Sequence, residues 1–200
     1  MQKNSWVIAS NNSGKISELN NLLLNFNISL IPQSTLDISE AEEPASTFIE
    51  NSIVKARHAT TLAKLPAIAD DSGLIVPCLD GAPGIKSARY AGSNNSTDNI
   101  DKLLSELKKL APDQTTFTAY FYCVIVVMQH ELDPCPLVCE GRWDGEIILE
   151  KKGDNGFGYD SVFYDSSLGL TAAQMTKEQK QAHSHRGQAI AQLKTKLGTF

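Results

Sequence analysis

Apolar positions recur along this chain in two rhythms. Trp6 to Ala9 is a short apolar run that reads as a buried strand, while Ile16, Leu19, Leu23 and Phe26 recur at helical spacing and predict a helix over 15–26. Ile28 to Ile31, stopped by Pro32, is a second strand-like run. The N-terminal stretch therefore spells strand, polar loop, helix, strand, the unit from which α/β sheets are built. Thr47-Phe48-Ile49-Glu50 matches a capping box and predicts a helix with Ile49, Ile53, Ala56 and Ala63 inward, ending before Pro66. Ala67-Ile68-Ala69 reads as a strand that delivers Asp70-Asp71-Ser72-Gly73 at its end, after which Leu74-Ile75-Val76 continues apolar. Ile100, Leu103, Leu104, Leu107 and Leu110 predict a helix over 98–110. Thr116 to Met128 first alternates and then turns wholly apolar, a long strand. Leu137 to Leu149, interrupted at Asp144-Gly145, reads as its partner strand or as a hairpin. A second capping box, Thr176 with Gln179, opens a helical tail whose apolar face holds Ala189, Ile190, Leu193 and Leu197. With no repeat, low-complexity tract or linker, the chain is expected to be a single α/β domain over 1–200 with a mixed sheet.

Composition narrows the function classes. The 200 residues are 42% hydrophobic and 20% charged, with a net charge of −5. A core of ordinary size is available, and a general nucleic-acid binder, which shows a basic face, is disfavoured. The longest apolar run, Phe121 to Met128, falls well short of the roughly 18 residues that span a bilayer. The apolar stretch near the start is also too short for a signal peptide, so no membrane partner and a cytoplasmic location are expected. Cys78, Cys123, Cys135 and Cys139 include no C-x-x-C pair, and the four histidines are scattered. A soft-metal site is therefore not expected, and Cys123 reads as a small core residue. Pro83 to Gly92 and the strand 117–128 carry apolar and aromatic residues beyond what a small monomer needs, a hint of self-association.

The polar segments carry the chemistry. Ser13-Gly14-Lys15 resembles the end of a P-loop, but Ala9 and Ile16 occupy positions where that motif needs Gly and Ser or Thr. What remains is a polar helix N-terminus whose N–H groups, with Lys15, suit a phosphate. Asp71-Ser72-Gly73 resembles the aspartic-protease signature, yet that chemistry needs two copies and the chain has one. A serine triad from Ser72 and His185 lacks a nucleophile elbow. Adjacent aspartates repel unless a cation intervenes, and hard oxygen ligands without Cys or His favour Mg²⁺ or Mn²⁺. Glu42 and Glu43 add carboxylates in a loop; Lys15, Lys55, Arg89, Lys180 and Arg186 are the cations available to offset phosphate charge. Lys55 and Arg57 fall mid-helix, where a solvated face is the plainer reading. Phe157 and Tyr159, within Gly156-Phe157-Gly158-Tyr159-Asp160, form either a core plug or a stacking platform for a base. Ser184-His185-Arg186-Gly187 opens the last helix with donors that suit a base edge.

Taken in order, seven segments resemble the inosine triphosphate pyrophosphatase family. They are Ser10-Asn11-Asn12-Ser13-Gly14-Lys15, Thr47 to Asn51, Lys55-Ala56, Ala69 to Leu74, Gly84 to Tyr90, Gly156 to Asp160 and Ser184 to Gly187. Ser10 stands where the family often carries Thr, which keeps the hydroxyl, and Asn155 stands where small residues are common. The resemblance implies two α/β lobes around a long mixed β-sheet with flanking helices and a nucleotide cleft between the lobes. It further implies a Mg²⁺-dependent homodimer converting noncanonical purine triphosphates (ITP, dITP, XTP) to the monophosphate and pyrophosphate. By motif, Ser10, Asn11, Asn12, Ser13, Gly14 and Lys15 would hold the triphosphate and Ser72 would touch phosphate, with Lys55 a further substrate contact. Glu42 and Asp71 would take the metal, Asp71 also acting as base. Phe157, Gly158, Tyr159 and Asp160 would meet base and sugar, and Lys180, His185 and Arg186 the substrate. Two rival expectations remain at this level: a non-catalytic nucleotide sensor, which would not need the aspartate pair, and a triphosphatase for pyrimidine nucleotides.

Overall fold

The structure, a computed structural model, describes residues 4–198; within them the side chains of 13, 18, 21 and 22 lie outside the description. The strands are β1 (Asn4–Ile8), β2 (Ile28–Pro32), β3 (Ala67–Ile75), β4 (Thr116–Met128), β5 (Leu137–Ile148), β6 (Phe163–Asp165) and β7 (Leu170–Thr171). The helices are α1 (Ser13–Leu24), α2 (Phe48–Ala63), α3 (Ser96–Leu110), α4 (Lys177–His183) and α5 (His185–Leu197). The sheet has seven strands in the order β2-β1-β3-β4-β5-β6-β7. It is mixed: β1 runs parallel to β2 and β3, whereas β5–β6 and β6–β7 are antiparallel. Pro32 pairs with Ile8 on β2, an edge strand, where its missing N–H leaves no ladder bond unmade.

The chain divides into two compact units. The first takes residues up to Asp71, Cys123–Glu140 and those from Ala189 on; the second takes Ser72–Tyr122 and Gly141–Gln188. The first is centred on Trp6, Ile8, Leu19, Leu23, Ile68, Ile125 and Leu193. The second is centred on Leu74, Leu103, Leu107, Phe117, Phe121, Trp143 and Phe163. The expected α/β class and mixed sheet are therefore present.

Several local expectations are corrected. The aspartate pair does not end a strand: β3 runs unbroken through Asp70, Asp71, Ser72 and Gly73 to Ile75. Asp144-Gly145 is no interruption either, since β5 is continuous. A methyl group on Gly145 would lie 2.6 Å from both the Phe163 ring and the Tyr164 carbonyl oxygen, so this glycine serves close packing rather than a turn. Thr47 caps α2 as its pattern predicts, accepting from the Glu50 N–H. The buried face of α2, however, is Asn51, Ser52, Ala56, Ala59 and Thr60, while Ile49 is exposed. Small and polar residues can face inward here because backbone groups satisfy them. The Ser52 hydroxyl donates to the Val124 carbonyl at 3.1 Å, and Asn51 accepts from the Ala45 N–H at 3.1 Å. Leu110, expected inward, is exposed at the last residue of α3. Helix α1 starts at Ser13, earlier than its apolar rhythm predicts, because Asn12 caps it by accepting from the Lys15 N–H at 3.1 Å. The apolar side chains of β4, read as surplus surface, are consumed by the protein's own cores: Phe117, Phe121, Cys123, Ile125 and Met128 are all buried.

Candidate active site

The first unit gathers carboxylates and ammonium groups around β3. Asp70 and Asp71 are only 3% and 8% exposed. Two adjacent carboxylates at that depth need counter-charges, and each meets its own lysine. Lys15, in the first turn of α1, lies 2.8 Å from Asp70. Lys55, from α2, lies 3.1 Å from Asp71 Oδ1 and 3.6 Å from Glu43. Lys55 thus belongs to the carboxylate cluster rather than to a solvated face, whereas the side chain of its neighbour Arg57 donates to the Glu131 carbonyl on the surface. Burial pushes the Asp71 carboxyl above its ordinary 3.8, with Lys55 opposing and Glu43 adding to the rise. Asp71 Oδ2 is buried and has no hydrogen-bond partner among the described residues.

The loop of Ser10 to Lys15 folds on itself. The Ser10 hydroxyl accepts from the Asn12 N–H at 3.2 Å, and the Asn11 amide donates to Glu40 at 2.7 Å. Gly14 is exposed, and a methyl group there would approach Asn12 Oδ1 at 3.2 Å. The side chain of Ser13 lies outside the described ones. Of the two loop glutamates, Glu43 joins the Lys55–Asp71 cluster and Glu42 is exposed to solvent. Sequence alone offers nothing to choose between neighbouring loop glutamates. His58 on α2 bonds the Ser39 carbonyl at 3.0 Å, fastening the start of this acidic loop.

The donor set fits a hard divalent cation: an orphaned carboxylate oxygen on Asp71, with Glu43 gathered at the same lysine. Among the described residues no three His, Cys, Asp or Glu side chains converge as a ready-made cage.

The second unit holds the glycine-hinged loop and the start of α5. Phe157 and Tyr159, offered as alternatives of one kind, separate. Phe157 is 56% exposed and is no core plug; Tyr159 is buried and donates its hydroxyl to the Ser87 carbonyl at 2.9 Å. Burial raises the Tyr159 phenol, so it stays a donor. Asp160 is buried, accepts from the Phe157 N–H at 2.8 Å and pairs with Lys180. Gly156 has φ of +79°, and any side chain there would strike the Asp160 carboxylate, so only glycine lets the loop close over Asp160. Gly158 also has positive φ, at +60°, in open space. Two cations flank the Phe157 ring, Lys180 at 5.2 Å and Arg186 at 6.0 Å from its centroid. Arg186 also donates to the Ser72 hydroxyl at 3.2 Å. His185 is 7% exposed, stacked on Phe121 with centroids 4.7 Å apart. Of the cations considered, Arg89 is exposed in the turn Gly84–Arg89.

No helix among the described residues is long and apolar enough to cross a membrane. Among the described residues no disulfide forms: Cys123 and Cys139 are buried, and Cys78 and Cys135 are exposed.

Comparison with known proteins gives a consistent result. A relative from Idiomarina loihiensis named dITP/XTP pyrophosphatase is 49% identical over 202 residues, covering 98% of this chain and 99% of the relative. An Escherichia coli K12 protein of the same name is 52% identical over 186 residues, covering 92% and 93%. Among solved structures, a HAM1 protein from Coxiella burnetii superposes with a TM-score of 0.93 at 46% identity, covering 98% of this chain and 100% of the other. A nucleoside-triphosphatase / dITP/XTP pyrophosphatase from Mycobacterium abscessus gives 0.75 at 35% identity, covering 94% and 98%. The Ham1 family model matches residues 6–196, a span that takes in every cluster described above, and the chain belongs to the Ham1 family.

Proposed function

We propose that this chain hydrolyses noncanonical purine nucleoside triphosphates (dITP, ITP, XTP) to the nucleoside monophosphate and pyrophosphate. The names carried by its relatives support the reading. The observation that carries it is the buried Asp70–Asp71 pair, each carboxylate held by its own lysine, with Asp71 Oδ2 left over. A nucleotide sensor has no use for so costly a pair; a hydrolase does.

In this reading Asp71 accepts a proton from the attacking water through Oδ2, a task favoured by its raised proton affinity. Water oxygen bonds to the α-phosphorus, the bond from that phosphorus to the bridging oxygen breaks, and pyrophosphate carries the electron pair away. Lys15 and Lys55 offset the charge gathering on the leaving group. Lys15 does so from a helix N-terminus, where the peptide dipoles add to its field. Asp71 with Glu42 would hold Mg²⁺ (or Mn²⁺), and Glu43 lies on the Lys55 side of Asp71 as a further oxygen donor. The bound ion supplies Lewis-acid polarisation of phosphate oxygens. Ser10, Asn11, Asn12, Ser13 and Gly14 line the polyphosphate, and Ser72 adds a hydroxyl. On the second unit Phe157 offers its ring to the base, Gly158 lets the backbone approach it, and Tyr159, Asp160 and Lys180 keep that loop in shape. His185 and Arg186 present donors to the 6-carbonyl of hypoxanthine or xanthine, which adenine replaces with an amino group. The chain works as one catalytic domain, as a cytoplasmic homodimer, and has no nucleic-acid or membrane partner.

Pyrophosphate release over a panel of nucleoside triphosphates, with Mg²⁺ and with chelator, tests this. ITP, dITP and XTP should far outrun ATP and the pyrimidine nucleotides, and chelator should abolish the signal. Equal rates across purines and pyrimidines, or orthophosphate as first product, would refute it.

A further inference from the structure

His185 stands in a layered aromatic cluster inside the second unit. Phe121, from β4, lies against the imidazole with centroids 4.7 Å apart and planes 11° apart. Trp143, from β5, is nearly parallel to the same imidazole at 6.4 Å and 17°. Phe163, from β6, closes the cluster differently: it tilts against Phe121 at 50° and against Trp143 at 58°. The Trp143 indole is itself pinned. Its N–H donates to Asp165 Oδ2 at 2.8 Å, and Asp165 Oδ1 accepts from the backbone N–H groups of Ser167 at 2.9 Å and Leu168 at 3.3 Å. The backbone under His185 is also fixed, because the Ser184 hydroxyl accepts from the Gly187 N–H at 3.1 Å.

A histidine ring has a broad, soft rotation about its last torsion. A flat neighbour stacked nearly parallel to the ring removes that freedom, and hydrogen bonds weaken steeply once misaligned. An imidazole so clamped can present its donor in one direction only. We propose that Phe121 and Trp143 are positioning residues that fix the plane of His185 and thereby set the discrimination between 6-carbonyl and 6-amino purines. The inference rests on the reading of His185 as a base contact. It adds that selectivity resides partly in two residues that never touch the base.

The experiment compares Phe121→Leu, which keeps apolar volume but removes the ring, with Phe121→Tyr, which keeps the ring. Phe163→Leu is the control, a ring of the same core with a tilted rather than a stacked role. For each, kcat and KM are measured separately on ITP and ATP beside the melting temperature. Phe121→Leu should lower the ITP-to-ATP ratio of kcat/KM about two- to tenfold, the range of a lost aromatic stack, mainly through KM for ITP. Phe121→Tyr should restore the ratio. Phe163→Leu should lower the melting temperature and leave the ratio at the wild-type value. Where Phe121→Leu does not fold, Phe121→Met supplies an unbranched, ringless side chain for the same readout, and Trp143→Phe, which loses the Asp165 bond, should lower the ratio in the same direction. An unchanged ratio in a folded ringless variant overturns the inference alone, as does an equal loss of ratio in Phe163→Leu. A wild-type protein without preference for ITP over ATP overturns the functional reading and this inference together.

Discussion

Replacing Gly187 with alanine sets two familiar effects against each other. Gly187 is the third residue of α5, and alanine favours a helix over glycine by about 1 kcal/mol. On propensity alone the variant should be stabilised. The added methyl group, however, would sit 2.8 Å from the carbonyl carbon of Gln181 and closer still to its oxygen. Those atoms are backbone in the last turn of α4, and they cannot rotate aside as a side chain would. Relief requires the start of α5 to shift against α4, and overpacking of this kind typically costs about 1–3 kcal/mol, occasionally more. The clash therefore wins by up to about 2 kcal/mol, a fall of up to about 4 to 8 °C in melting temperature for a chain of this length. The same shift carries His185 and Arg186, whose bond to Ser72 is already 3.2 Å long, so ITP hydrolysis should fall with stability. Thermal melts by circular dichroism, paired with pyrophosphate release, give both readings. Gly198→Ala is the control: its methyl group would sit 3.5 Å from the Thr195 carbonyl oxygen, an ordinary contact. A Gly187→Ala protein that melts at or above the wild type with full activity would refute the reasoning.

Other expectations follow from the same geometry. Asp71→Asn keeps shape but removes the base, and turnover should drop by on the order of 10²-fold or more with far smaller loss of nucleotide binding; near-normal turnover would remove Asp71 from its role. Hydrolysis in ¹⁸O-labelled water should place the label in the monophosphate, whereas label in pyrophosphate means attack at the β-phosphorus. Arg186→Ala should collapse the ITP-to-ATP preference; an equal loss on both substrates would make Arg186 a phosphate contact instead. Burial opposes the charge on Asp165, but bonds from Ser167, Trp143 and Leu168 together hold its carboxyl below the ordinary 3.8. A carboxyl depressed in the folded state stabilises fully above that ordinary value and loses the contribution as pH falls through the folded value. Asp165→Asn should therefore melt several degrees lower at neutral pH, by about 1.5–3 kcal/mol for the lost charged bonds, with the gap to wild type narrowing below pH 3.8.

Sequence rhythm found long elements well and misjudged places where polar or small residues take positions reserved for apolar ones. β4 is legible from end to end because its alternation and apolar run mirror its burial. The short strands β6 and β7 went unread, since neither is long enough to show a period. Asp70-Asp71 looked like the end of a strand because charge usually marks an exit from the core. Two lysines distant in sequence make burial tolerable, and no local pattern announces them. The Phe157–Tyr159 pair was seen, yet which ring faces solvent depends on the Tyr159 bond to Ser87, seventy-two positions away. The polar motifs of the candidate site stand out in the sequence because their residue types are chemically demanding. The rings stacked with His185, Phe121 and Trp143, look like any core aromatic.

The narrow face of α2 has a consequence for how this protein can vary. Ser52, Ala56 and Ala59 are fully buried on the helix that carries Lys55 to within 3.1 Å of Asp71, so a larger side chain at any of them would push that helix outward. Substitution at those three positions is therefore limited by size, although the two alanines have no chemistry to perform. Leu62, exposed on the same helix, is free to change. A mutational scan scored on activity would thus rank two alanines beside the charged residues, and a reader of that scan would search in vain for their chemical role. Their contribution is what they lack, a side chain large enough to hold a lysine away.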